Sequence, residues 1–215
     1  MHTTSYDSKD YWVSRFEKEK SFDWLLDYSS LKPFFDRYCT KSSQILNLGC
    51  GNSPMPFHLF DDGFGHSLNL DYCENVVENM QQIARVKYST EQRRQGPFPK
   101  WEIADVLDMP HIPCESFDLI FEKSTSDCIS TLDNDGSGLR KFESEIYRVC
   151  KSGGIWISVS YSQDRWDGFI SEKRWAFNVE KVIVPQNISS LPHTSAPVSR
   201  PIQYQYIYIF KKNTI

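Results

Sequence analysis

A chain of 215 residues, 40% of them hydrophobic, can bury one sizeable core, and no uninterrupted apolar run approaches the ~20 residues of a membrane span. The formal charge of −4 argues against a nucleic-acid surface and is compatible with a cationic cofactor or a basic protein partner. Six scattered cysteines (Cys39, Cys50, Cys73, Cys114, Cys128, Cys150) form no CxxC pair, and Met1 to Asp7 lacks the basic and apolar regions of a secretory signal. A reduced, cytoplasmic chain with buried thiols, no disulfide framework and no metal site is therefore expected. Without secretion, the glycosylation-like Asn187-Ile-Ser189 is read as chance.

From the N-terminus, Asp10 to Lys20 places Tyr11, Trp12 and Phe16 among charges near i, i+4 spacing, which predicts a one-faced helix. Phe22 to Tyr28 adds a dense aromatic group. Ser30 is read as the cap of a short helix that tolerates Pro33 early and carries Phe34, Phe35 and Tyr38. Residues 1–40 thus read as an aromatic helical cover.

The next stretch carries the chemistry. Ile45 to Leu48 has strand character and runs into Gly49-Cys50-Gly51, after which Pro54 to Phe60 reads as helix. Strand, glycine turn and helix begin a βαβ unit, in which Gly49 and Gly51 let backbone approach a ligand at the strand's C-terminal edge. Such a unit calls for an acid about 20 residues on, at the end of the next strand, to hold a pair of ribose hydroxyls. Ser67 to Asp71 is that strand, and Asp71 stands 20 positions after Gly51. A dinucleotide fingerprint wants Gly or Ala three residues after its second glycine, with helix N–H groups facing a diphosphate. That position is Pro54, which has no N–H. The pattern suits a nucleoside with an amino-acid end, S-adenosylmethionine, and a nicotinamide cofactor becomes the minor reading. The early aromatic segment then has two readings: a plain amphipathic cover, or one whose Trp12 and Trp24 fold over the sulfonium.

Tyr72 to Tyr88 reads as a helix with Val76, Val77, Met80 and Ile83 on its apolar face, and Thr90 to Pro99 as a loop. Lys100 to Ala104 is a third strand; Asp105 and Val106 lie at its end, where Asp105 either accepts the adenine amino group or caps a turn. Phe117 to Phe121 is a buried strand. Glu122 to Asp127 follows at its C-terminal end, where open α/β sheets place ligands; Glu122 and Lys123 are alternatively a surface charge pair. Asp133 to Gly138 is a loop and Leu139 to Cys150 a helix. Lys151-Ser-Gly-Gly154 reads as its stop signal and Ile155 to Val159 as a fifth strand. Trp175 to Val184 and Tyr204 to Phe210 alternate like strands around a Pro/Ser-rich loop, Pro185 to Pro201, predicting an antiparallel hairpin.

Leu-Gly-Cys-Gly-Asn-Ser, Leu-Asp-Tyr, Ala-Asp-Val, Ser-Phe-Asp-Leu-Ile-Phe-Glu-Lys and the Ser-Gly-Gly turn resemble successive motifs of class I S-adenosylmethionine-dependent methyltransferases. Tyr11-Trp12, Asp23-Trp24, Asp27-Tyr28-Ser29-Ser30 and Glu122-Lys123-Ser124-Thr125 resemble, more narrowly, the methyltransferase-like-13 group, which includes lysine methyltransferases of translation elongation factor 1-alpha. The likeness runs from about Tyr11 to Tyr161. It implies an α/β fold: a Rossmann-like, seven-stranded, mostly parallel sheet with helices on both faces, in a single domain (cover 1–40, cofactor-binding core 41–161, divergent β-rich part 162–215). It also implies cofactor contacts at Trp12, Trp24, Gly49, Asp71, Tyr72, Asp105, Val106 and Lys123. Phe16 stands where relatives carry Tyr; its ring can still stack. Ser124 stands where relatives commonly have Gly, which bears on the local turn and the width of an acceptor channel. Glu122 and Asp127 are assigned to positioning the acceptor, with no general base named. The expected activity of this chain, taken as a monomer, is methyl transfer to a protein lysine such as one of elongation factor 1-alpha; a small-molecule methyltransferase and a non-catalytic cofactor-binding scaffold are the alternatives.

Overall fold

Ile45–Leu48 (β1) is buried at every position, which explains why it reads as a nearly continuous apolar run and does not alternate. Its one polar residue, Asn47, is satisfied sideways: Nδ2 donates to Asn69 Oδ1 at 3.1 Å, and Asn69 Nδ2 donates to the Lys100 carbonyl at 2.9 Å. This amide ladder crosses three strands and leaves the core without an orphaned side-chain group at Asn47. The computed structural model describes residues 6, 8–132, 135–183 and 203–214.

In chain order the elements are α1 (Lys9–Lys18), α2 (Tyr28–Tyr38), β1, α3 (Met55–Asp61), β2 (Ser67–Asp71), α4 (Glu74–Lys87), α5 (Thr90–Arg94) and β3 (Lys100–Ile103), followed by β4 (Phe117–Lys123), α6 (Thr125–Ile129), α7 (Ser137–Val149), β5 (Cys150–Ser160), β6 (Trp175–Ile183) and β7 (Tyr204–Lys212). They build a seven-stranded sheet of order β3-β2-β1-β4-β5-β7-β6. The pairs from β3 to β5 are parallel, and β7 is antiparallel to both β5 and β6. The Rossmann-like sheet with its C-terminal hairpin is thus present. Pairing in register (Leu48 beside Leu70 and Glu122, Asp71 beside Ile103, Lys123 beside Val159) brings the ends of five strands out at one edge. Strand order reverses between β1 and β4, the switch point at which such sheets open a crevice.

Helices cover both faces. On one side Phe142, Ile146 and Val149 of α7 pack with Trp156, Trp166, Trp175 and Phe210. On the other, Leu31 and Phe35 of α2 and Met55 and Leu59 of α3 pack on Leu119, Phe121 and Ile157. A third cluster joins Trp12 of α1 to Val76, Val77 and Met80 of α4 beside Phe57 and Trp101. Among the described residues no helix is long and apolar enough to cross a membrane. β6 is an outer strand whose Phe177, Val179 and Ile183 are exposed, with Lys181 between the last two.

Local expectations are corrected in several places. The cap of α2 is Asp27, three residues before Ser30: its carboxylate accepts from Ser30 N at 3.0 Å, and Ser30 lies in the first helical turn. The expected loop from Thr90 begins as α5, because Ser89 and Gln92 form a reciprocal capping box. Lys151 to Gly154 does not end as a free turn; β5 already begins at Cys150, with an irregularity against β4 between Phe117 and Leu119. Of the thiols, Cys50, Cys73 and Cys150 are buried while Cys114 is exposed. The Pro185–Pro201 loop and Asn187 lie outside the described residues.

Candidate functional site

The glycine turn after β1 is shaped by what packs against it. Gly49 has φ 63°, and a Cβ there would overlap the Thr125 hydroxyl, which itself donates to the Leu48 carbonyl at 2.9 Å. Gly51 has φ 51°, and its N–H donates to Asp71 Oδ2 at 2.9 Å. Cys73 N–H donates to Asp71 Oδ1, also at 2.9 Å. Two backbone donors therefore fix the buried Asp71 carboxylate at the end of β2. Burial pushes its pKa up, and the hydrogen bonds from Cys73 and Gly51 oppose that rise.

Over this turn lies the N-terminal cover. Trp12 is buried, with its indole N–H donating to the Tyr6 carbonyl at 2.9 Å; the Phe16 ring centre is 5.7 Å from it, and Trp24 meets it edge-on at 6.2 Å. Arg15 stacks outside these rings, 4.7 Å from Trp24 and 5.2 Å from Phe22, and pairs with Glu19 at 2.8 Å. The cover is tied down by polar contacts. Asn52 donates to the Glu19 carbonyl at 2.6 Å, Ser53 donates to Asp23 at 2.7 Å, and the Lys123 ammonium holds both Asp23 and, at 2.8 Å, the Leu26 carbonyl. The aromatic segment thus packs on α4 with Trp12, as a plain cover would, and its rings also roof a cavity.

That cavity has a volume of about 640 Å³ and runs along the strand ends. Trp12, Phe16, Trp24, Gly49, Gly51, Asp71, Tyr72, Asp105, Val106 and Lys123, the residues expected at a cofactor, all line it, and so does Asp127. Asp105 is both a wall residue and a turn cap, accepting from Leu107 N–H at 2.9 Å. Lys123 reaches the wall, but its ammonium is committed to Asp23 and Leu26. Glu122 is not on the wall. It is fully buried beneath the cavity, where it accepts from Thr125 N–H at 3.0 Å, Ser126 N–H at 3.1 Å, Ser126 Oγ at 2.8 Å and Ser158 Oγ. Glu122, assigned to positioning the acceptor, is off the wall and holds the start of α6, the helix that carries Asp127. With Glu122 fully buried and the Lys123 side chain 6% exposed, the surface-pair reading fails as well.

Ser124, between them, adopts the left-handed conformation (φ 64°, ψ 2°) that favours glycine, and its hydroxyl donates to Asp127 at 3.2 Å. The backbone therefore keeps the glycine-type turn although the residue has changed. Sequence reasoning missed Tyr6, Phe22, Thr125, Cys128, Leu132 and Tyr161 as wall residues. Phe22 belonged to a segment already marked as aromatic, and Tyr161 follows a strand directly, so both positions carried a usable signal. Tyr6 and Leu132 carried none.

Burial raises the Glu122 pKa to about 7, with Ser158 and Ser126 hydrogen bonds opposing and the Asp127 charge adding to the rise. Because the folded value lies above the unfolded one, this group's stabilising contribution is complete below about pH 4.5 and is lost as pH rises toward 7. About 3 kcal/mol of stability is expected to disappear over that window. Chemical unfolding of Glu122→Gln at pH 5 and pH 7.5 should show this slope flattened; an unaltered slope would assign the titration elsewhere.

The wall chemistry selects among nucleosides. Pro54 has no N–H to offer, and Met55 N–H, the first in α3, is used by Ser53 Oγ at 3.2 Å, so no free row of helix donors faces a diphosphate. A carboxylate at β2, close glycine backbone and an indole roof instead fit a ribose followed by a sulfonium.

Comparison with known proteins agrees with this geometry. A family model described as "Methyltransferase domain" matches residues 39–189. "Methyltransferase srdJ" of Neurospora crassa is 28% identical over 96% of this chain and 84% of its own length. "eEF1A lysine and N-terminal methyltransferase" of Danio rerio is 30% identical over 90% of this chain, which spans only 27% of that relative. Among solved structures, a SAM-dependent methyltransferase of Methanosarcina mazei shares the fold, with TM-score 0.63 and 13% identity over 88% of this chain and all of the other (100%). A glycine turn, a buried acid at the end of β2 and an aromatic roof at the switch point of this sheet, together with the family match, lead to one conclusion: the chain belongs to the methyltransferase domain family and is an S-adenosylmethionine-dependent methyltransferase.

Proposed function

We propose that the acceptor is an amine on a protein, a lysine of translation elongation factor 1-alpha being the first to test. The observation that carries this reading is the mouth of the cavity. Phe22, Leu132 and Tyr161 line it from three separate segments while remaining 39%, 44% and 60% exposed, which suits entry of a long alkyl side chain. The name borne by the Danio rerio relative supports the same acceptor.

Asp71 would hold the ribose, Asp105 and Val106 the adenine side, and Trp12, Phe16 and Trp24 the roof over the sulfonium. The bound cofactor supplies an activated methyl group, so these residues chiefly orient the reactants and exclude water. A lysine acceptor must first lose a proton; at a reference pKa of about 10.4, holding it neutral at pH 7 costs about 4.6 kcal/mol. Apolar walls reduce that cost, because desolvation disfavours the ammonium form.

Incubation of the protein with methyl-labelled cofactor and cell lysate tests the proposal. A labelled protein band of the elongation factor's size that yields labelled methyl-lysine on hydrolysis is the expected result. Label confined to the small-molecule fraction would replace it with a small-molecule acceptor, and cofactor binding without transfer would replace it with a non-catalytic scaffold.

A further inference from the structure

Behind the cavity wall, the wall carboxylate Asp127 is paired with a buried cation that neither cofactor binding nor the roof uses. Asp127, in the first turn of α6, is 5% exposed and lines the cavity; Arg165, from the loop after β5, is 9% exposed. Arg165 Nε and Nη2 donate to Asp127 Oδ1 at 2.9 and 2.8 Å. Ser160 Oγ donates to the same oxygen, and Ser124 Oγ and Tyr161 N–H donate to Oδ2 at 3.2 and 3.3 Å. Arg165 is itself held: its backbone N–H donates to the Tyr208 hydroxyl at 3.2 Å, and that hydroxyl donates to the Ser162 carbonyl at 2.8 Å.

The pair stands at a defined end of the cavity. Asp71 marks the ribose side at β2, and the wall then passes β1 and reaches Asp127 and Tyr161 beyond β4 and β5, beside the open mouth. Of the other ionisable groups there, burial pushes the Cys128 thiol up to about 12 and keeps it uncharged, while Glu122 lies off the wall with its oxygens taken by donors from Thr125, Ser126 and Ser158. Lys123 is paired with Asp23, and the Tyr161 ring lies 5.5 Å from the Arg165 guanidinium.

We propose that Arg165 is a positioning residue that cancels the charge of Asp127, so that the one carboxylate on the wall at the acceptor end presents no net charge to an entering amine. A bare carboxylate at this place would stabilise the ammonium form of the acceptor and oppose the loss of its proton. Arginine suits this role because it stays protonated throughout the physiological range and grips a carboxylate with fixed geometry. Dissolving either partner leaves the other charge alone on a poorly solvated wall. The purpose assigned to this neutrality rests on the amine-acceptor reading above, whereas the charge balance itself is measurable without any acceptor.

Sinefungin and S-adenosylhomocysteine supply the measurement, since sinefungin carries an amine where the transferable methyl group stands and S-adenosylhomocysteine carries nothing there. Calorimetry at pH 7.5 gives the ratio of the two affinities for each variant. Arg165→Met should raise the preference for sinefungin about tenfold, and Asp127→Asn should lower it by a similar factor, as expected for an unpaired charge beside a poorly solvated cavity. The double variant should return to within about twofold of the parent, and Arg165→Lys, which keeps the cation, should stay near it. A ratio unchanged in both single variants would overturn the proposal and reduce the pair to a structural tie. Should Arg165→Met fail to fold, Asp127→Asn decides alone: a ratio lowered about tenfold supports the proposal and an unchanged ratio overturns it. A lysate experiment that finds no amine acceptor would sink the proposed function while this ratio still judges the pair.

Discussion

Asp71→Ala should reduce affinity for S-adenosylhomocysteine, measured by calorimetry, by at least about tenfold. Two losses combine. The ligand's ribose would lose a carboxylate placed at the end of β2, and the N–H groups of Gly51 and Cys73, each 2.9 Å from that carboxylate, would lose their acceptor. The second loss loosens the glycine turn itself, so Asp71→Asn should be nearly as damaging: its NH₂ would face one of the two backbone donors. Unchanged affinity in Asp71→Ala would remove this residue from the site.

Lys123→Met should lower the melting temperature by roughly 6–12 °C, corresponding to about 3 kcal/mol for a partner removed from a buried ion pair in a domain of this size. The Lys123 side chain is 6% exposed and that of Asp23 is 21% exposed, so the remaining carboxylate would be left poorly solvated against Ser53. The damage should appear first as proteolysis within the N-terminal cover, because Lys123 is what fastens Asp23 and Leu26 to the end of β4. Asp23→Asn combined with Lys123→Met should recover much of the loss, since it removes the stranded charge. A melting temperature unmoved by Lys123→Met would show that its contacts with Asp23 and Leu26 do not fasten the cover.

These two residues also show how far the amino-acid sequence can be read. Asp71 was legible because strand, glycine turn and acid obey a spacing that the βαβ unit itself imposes. The parallel strands were legible as short apolar runs, and the hairpin from its alternation. Lys123 was legible in its position but not in its partners, since a charged residue at a strand end looks the same whether it faces ligand, solvent or a loop 100 residues away. The burial of Glu122 was not legible either: three of its four donors come from Thr125 and Ser126, three and four residues on, but only the fold adds Ser158 and takes the carboxylate off the cavity wall. Arg165 carried no signal, lying past the last motif and reaching Asp127 only through tertiary structure. Side-chain partners made across long separations in the chain are set by the fold as a whole, and local pattern cannot report them.

The outermost strand has a consequence for how this protein behaves in concentrated solution. β6 presents Phe177, Val179 and Ile183 at a sheet margin whose backbone groups have no further strand to pair with among the described residues, the arrangement that invites one molecule to extend its sheet into the next. Lys181 interrupts that row, its ammonium resting 3.5 Å from the centre of the Tyr204 ring. A fixed positive charge at that spot acts as a gatekeeper against intermolecular stacking, and neutral replacements there trade solubility for nothing the catalytic edge requires.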